Sequence, residues 1–123
     1  MKEIEGIKDI KVFVDIFYHK ALNNNTLSVI FKPIVEDNLD HHLQTMYKFW
    51  DSLIFGSQDY KGSPFAKHIN LGATENHFDE WIKLFHETID ENFEGPIAQN
   101  TKQRAVSIAY IFQSKLKHLG KMP

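Results

Sequence analysis

Apolar side chains recur every three to four residues in four long stretches of this chain, and residues that break helices stand between them. That period constrains the fold more than any other feature, because a helix turning once per 3.6 residues gathers such positions on one face. Ile7, Ile10, Phe13 or Val14, Phe17, and Ala21 or Leu22 predict a first helix over about residues 5–23. Asn23, Asn24 and Asn25 end it, since Asn tolerates left-handed turn geometry. Leu39, His42 or Leu43, Met46, Trp50, and Leu53 or Ile54 predict a helix over about residues 36–55, with Gly56 where a C-terminal cap belongs. Thr74 is placed as the N-cap of a third long helix carrying Phe78, Trp81 or Ile82, Phe85 and Ile89. Glu94-Gly95-Pro96 breaks the chain. A last helix over about residues 96–118 carries Ile97, Thr101, Ala105, Ile108, Phe112 and Leu116.

Two stretches are shorter. "TLSVIFKP" predicts a helical turn that stops at Pro33. "SPFAKHINLG", Ser63 to Gly72, reads as a short helix opened by Pro64 and closed by Gly72, with His68 near its middle. A helix of under three turns is unstable alone in water, so something outside must hold it. No strand alternation or internal repeat interrupts the pattern. The expected class is all-α, with residues 1–123 forming one domain.

Composition narrows the function classes. At 42% hydrophobic and 24% charged residues, the chain reads as a soluble globular protein with a formal net charge of −2. Its Lys and Arg residues are scattered, which argues against nucleic acid and anionic membrane surfaces as partners. "MKEIEGIKDIKVF" lacks a signal-peptide core, and no apolar run approaches membrane-spanning length. A cytoplasmic protein is expected. The absence of cysteine removes disulfides, thiolate metal sites and a Cys nucleophile. Aromatic residues make up 13%, including ten Phe, enough either to fill a core or to line a cavity for a flat cofactor.

Seven histidines raise the question of metal. His41 and His42 are adjacent and point about 100° apart on a helix, and no H-x-x-x-H or H-E-x-x-H pair exists. His19, His86 and His118 have charged or polar neighbours and read as surface residues, and His77 in a first helical turn is grouped with them. His68 and His42 differ, because large apolar residues surround each: Phe65, Ile69 and Leu71 around the first, Leu39, Met46 and Trp50 around the second. Each is either a hydrogen-bonded core histidine or one of two groups facing a flat metal-containing cofactor. Tyr18 and Trp81 carry the same pair of readings. They are core aromatics with polar ends on backbone carbonyls, or donors to a small ligand.

"IFYHKAL" (Ile16–Leu22), "VIFKPI" (Val29–Ile34), His42 ahead of Phe49-Trp50, "DYKGSPFAKH" (Asp59–His68) and "HFDEWIKLFHETI" (His77–Ile89) together resemble group III truncated haemoglobins over about residues 10–118. The six isolated glycines agree, since groups I and II usually carry paired ones. The resemblance implies a two-on-two helical sandwich around haem b. It casts His68 as the proximal iron ligand, Tyr18 and Trp81 as distal donors, and His42 as a residue gating the distal pocket. Phe31, Met46, Phe49 and Trp50 would wall the cavity, with Lys67, Lys61 and Tyr60 as partners for the haem carboxylates and Lys32 a weaker one.

The function so implied is binding of O2, NO, CO or similar small ligands, with NO detoxification or peroxidase-like chemistry and a separate electron donor. No flavin or nicotinamide fingerprint is present in the sequence to supply electrons. A monomer is expected. Two other readings stand beside this one: a haem-based ligand store or sensor without turnover, and a cofactor-free helical interaction module in which His68 is structural.

Overall fold

A computed structural model describes residues 1–35, 38–57 and 71–123, and the five helices in these residues follow the periodicity closely. They are α1 (Ile7–Leu22), α2 (Ser28–Val35), α3 (Leu39–Phe55), α4 (Glu75–Asn92) and α5 (Pro96–His118). Helix α1 packs against α2, α3 and α4, while α5 lies along α4. The short segment around His68, with Tyr60, Lys61 and Lys67, lies outside the described residues.

Local chemistry explains most of the boundaries. Asn38 caps α3 by accepting the His41 N–H at 2.9 Å, which sets the start three residues later than the period suggested. Gly56 ends α3 with φ 74°, a left-handed angle that glycine adopts without strain. Thr74 caps α4, as expected, and Pro96 sits in the first turn of α5. Leu39 and Ile7 are 39% and 41% exposed, so both apolar stripes begin one turn further in than the spacing alone implied.

Helix α2 departs from expectation. Pro33 lies inside it and the helix runs on to Val35. Pro33 lacks the N–H that would reach the Val29 carbonyl, and Val29 is 62% exposed, so water can take that acceptor. Burial of Ile30, Phe31 and Val35 holds the helix past the proline. Packing therefore overrides a local stop signal.

The core is an aromatic column. Phe13 is fully buried and meets Trp50, Phe85 and Phe93 edge-on at 5.9, 5.7 and 6.5 Å between ring centroids. Phe85 in turn stacks on Trp50 at 5.0 Å and on Trp81 at 5.6 Å. Such pairs add about 0.5–1.5 kcal/mol each beyond the area they bury. Trp50 and Trp81, both packed on Phe85, also face a cavity.

The first six residues, which carry no helical pattern, close over the junction between α4 and α5. Ile4 is fully buried. The Glu3 carboxylate accepts the Ile97 and Ala98 N–H groups, each at 2.8 Å, and so caps α5 from 94 residues away in sequence. Lys2 bonds Asp9 at 2.7 Å, and the Glu94 N–H donates to the Lys2 carbonyl at 2.9 Å. Gly95 is required at this junction: its φ is 126°, and a Cβ there would lie 2.1 Å from Glu3 Oε2.

Candidate haem pocket

Helices α1 to α5 together line a largely apolar cavity that is partly open to solvent. Its aromatic and sulfur-bearing walls include Phe31, Met46, Phe49 and Trp50, the four residues that the family resemblance casts as walls. Phe78, Ile108 and Phe112 complete the apolar surface from α4 and α5. Tyr18, Trp81 and His77 are the polar side chains that reach the cavity among the described residues.

Tyr18 comes from the buried face of α1, one residue past Phe17, whose ring it meets edge-on at 5.5 Å. Its hydroxyl lies 2.9 Å from His42 Nε2, and both side chains are buried. Burial pushes the phenol pKa well above its ordinary value, so Tyr18 keeps its proton throughout the neutral range. The bond then has two forms. Either the phenol donates to a bare Nε2, or it accepts from Nε2–H and its own hydrogen turns toward the cavity. The His42 tautomer decides whether Tyr18 can donate to a ligand.

Trp81 lines the same cavity, held by stacking on Phe85 and by an edge contact with Phe17 at 6.0 Å. An indole nitrogen only donates, so Trp81 brings a second donor to the apolar space. The structure therefore brings Tyr18, His42 and Trp81 into one neighbourhood with Phe31, Met46, Phe49 and Trp50. Of the remaining expected site residues, Lys32 is exposed on α2, while His68, Tyr60 and Lys67 lie outside the described residues.

Two histidines sit differently from the surface placement expected of them. His86 is half-buried, with Nε2 3.2 Å from the Lys102 carbonyl, because α5 packs over that face of α4. His77 is also half-buried and forms part of the cavity wall. The pattern Thr74-x-x-His77 carries a local signal for this placement: it is a capping box with histidine in the place usual for Glu or Gln.

No group of three or more His, Asp or Glu residues suited to a metal ion exists among the described residues. No described helix is long and apolar enough to cross a membrane. A largely apolar cavity with aromatic walls, beside a buried phenol–imidazole pair, fits a planar macrocycle with a small ligand next to it. It does not fit a hydrated ion.

Comparison with known proteins agrees with that fit. Residues 2–113 match the family model for bacterial-like globins. The group 3 truncated hemoglobin ctb of Campylobacter jejuni is 30% identical over 117 residues, spanning 92% of each chain. The crystal structure of the group III truncated hemoglobin from Campylobacter jejuni superposes with a TM-score of 0.84 at 30% identity, covering 94% of this chain and 95% of that one. This chain thus belongs to the bacterial globin family, as a group III truncated haemoglobin, a family whose members bind small diatomic ligands at haem.

Proposed function

We propose that this chain binds O2 at haem b and uses it to oxidise NO to nitrate. The observation that carries the reading is the buried Tyr18–His42 hydrogen bond at the wall of an apolar cavity that Trp81 also lines. Donors fixed in a water-poor space stabilise developing negative charge far better than donors in water, and they need no reorganisation as the charge appears. Strong donation to bound oxygen opposes its release, which suits turnover better than transport. The apolar walls favour uncharged diatomic molecules over hydrogen peroxide, so NO oxidation is preferred here to peroxidase-like chemistry.

Each residue has a role in this reading. His68 would hold the haem iron through one ring nitrogen, the role the family resemblance gives it. Tyr18 and Trp81 donate to the ligand. His42 sets the direction of the Tyr18 hydrogen and gates entry. Lys67 and Tyr60 would meet the haem carboxylates. The haem supplies an iron centre for O2 and the single electron that nitrate formation consumes. That electron returns from a separate donor protein, since the chain carries no flavin or nicotinamide motif of its own.

The test is stopped-flow mixing of the haemin-reconstituted, reduced and oxygenated protein with NO, followed by nitrate analysis. One nitrate formed per NO, with the haem left oxidised, is the expected result. Release of intact O2 with no nitrate would overturn the reaction and leave a ligand store. A protein that takes up no haemin, with only the broad absorption of free haemin, would overturn the haem site itself.

A further inference from the structure

We propose that the His77 imidazole is a cofactor-positioning group, donating through Nε2–H to a carboxylate of the haem at the cavity edge. The inference rests on the haem reading above and assigns a residue toward it that the sequence placed on the surface.

Three observations converge. First, His77 is part of the cavity wall, four residues and one turn before Trp81, on the same face of α4. Four residues of helix span about 6 Å, comparable to the reach from a macrocycle's centre toward its substituents. Second, the ring is held in one orientation and one tautomer. The Thr74 N–H donates to Nδ1 at 2.9 Å, and the Thr74 hydroxyl oxygen lies 3.1 Å from the same nitrogen. Because Nδ1 accepts, the proton of the neutral ring sits on Nε2. Third, no hydrogen bond joins Nε2 to any described residue. A fixed donor thus borders an apolar cavity with no acceptor among the described residues.

The cavity is polar at two separate places. At one, Tyr18 and His42 are buried and bonded to each other. At the other, His77 stands half-buried at the first turn of α4. Haem has a matching division: an apolar macrocycle, a metal centre, and two carboxylates together on one edge. Its carboxylates are its strong acceptors, and an N–H donor to a carboxylate is among the stronger hydrogen bonds. Placing the carboxylates at His77 leaves the metal centre for Tyr18 and Trp81. The reverse would set an anionic edge against Phe31 and Phe49. The capping box and the cofactor contact then share one side chain, so folding of α4 orients the donor before haem arrives.

The experiment measures haem release to an excess of apomyoglobin from wild type, His77→Glu and His77→Gln. Glu and Gln both suit the third position of a capping box, so each keeps the acceptor for the Thr74 N–H. Each protein is loaded with haemin and, separately, with haemin dimethyl ester, whose carboxylates are blocked. The expected outcome is release of haemin about tenfold faster from His77→Glu than from wild type, with equal rates for the dimethyl ester. Equal haemin release from wild type and His77→Glu would overturn the proposal. The same acceleration with both cofactors would also overturn it, showing a purely structural role. If His77→Glu does not fold, wild type decides, and equal release of haemin and its dimethyl ester is likewise fatal. Wild type that binds no haemin at all sinks the haem reading first, a result told apart by the missing Soret band.

Discussion

Two regions of the molecule use polar groups in opposite ways. At the N-terminal clasp, Glu3, Lys2 and Asp9 spend their hydrogen-bonding capacity on the protein: two α5 N–H groups, the Ile4 and Glu5 N–H groups, and each other. In the cavity, Trp81 and His77 keep N–H donors that no described residue accepts, and Tyr18 is bonded only to a histidine whose tautomer can redirect it. Saturated polar groups hold a fold together. Donors left over beside an apolar space are what a ligand can use, and the contrast predicts that stability and ligand behaviour respond to different substitutions.

The largest effect should come where the two requirements coincide. Phe85→Ala removes a ring that is 2% exposed and that stacks on both Trp50 and Trp81. A loss of about 3–5 kcal/mol in urea unfolding is expected, together with weakened haem retention. A loss below 1 kcal/mol would mean that the cavity wall is not part of the core. Gly95→Ala comes next, at about 2–3 kcal/mol, from backbone strain at φ 126° and eviction of the Glu3 carboxylate. Its oxygen release rate after reconstitution should stay within twofold of wild type, and a larger change would couple the clasp to the pocket.

Tyr18→Phe inverts that pattern. It removes a donor worth about 1–3 kcal/mol to a polarised ligand, so O2 release should quicken roughly tenfold to a hundredfold. Unfolding free energy should change far less than in Phe85→Ala, because the ring remains. An unaltered release rate would remove Tyr18 from the ligand's side of the cavity.

The smallest effect is pH-dependent. Desolvation pushes the Glu3 carboxyl upward, but the Ile97, Ile4 and Ala98 N–H groups outweigh it and hold the folded-state pKa below the usual carboxylate value. A depressed folded pKa means stabilisation present above the unfolded value near 4.3 and lost as pH falls through the folded value. Glu3→Gln should therefore cost about 1–2 kcal/mol at pH 7 and much less near pH 3. A cost independent of pH would show that the amide oxygen caps α5 as well as the carboxylate does.

Much of the fold was legible in the sequence because its signals are local. Thr74, Gly56 and Pro96 act within one turn of where they stand, and the stripe Thr101, Ala105, Leu116 is buried as its spacing requires. Local reading failed where distant packing wins. Helix α2 passes Pro33 because Val35 gains burial beyond it. His77 read as a surface residue because it stands in a first helical turn, and only the packing of the other helices around α4 makes its face a wall.

By itself, then, the sequence determined which residues form helices, which faces are apolar, and that Tyr18, His42 and Trp81 lie on those faces. These depend on chain geometry and the preferences of neighbouring residues, which operate over a few positions. Tertiary structure alone decided that the Tyr18 hydroxyl meets His42, 24 residues away, and that Glu3 caps a helix 94 residues distant. It also decided which donors end beside a cavity with no acceptor among the described residues. A hydrogen bond needs its partners within a few tenths of an ångström, and helices must first pack before any pair so far apart in sequence can be brought that close.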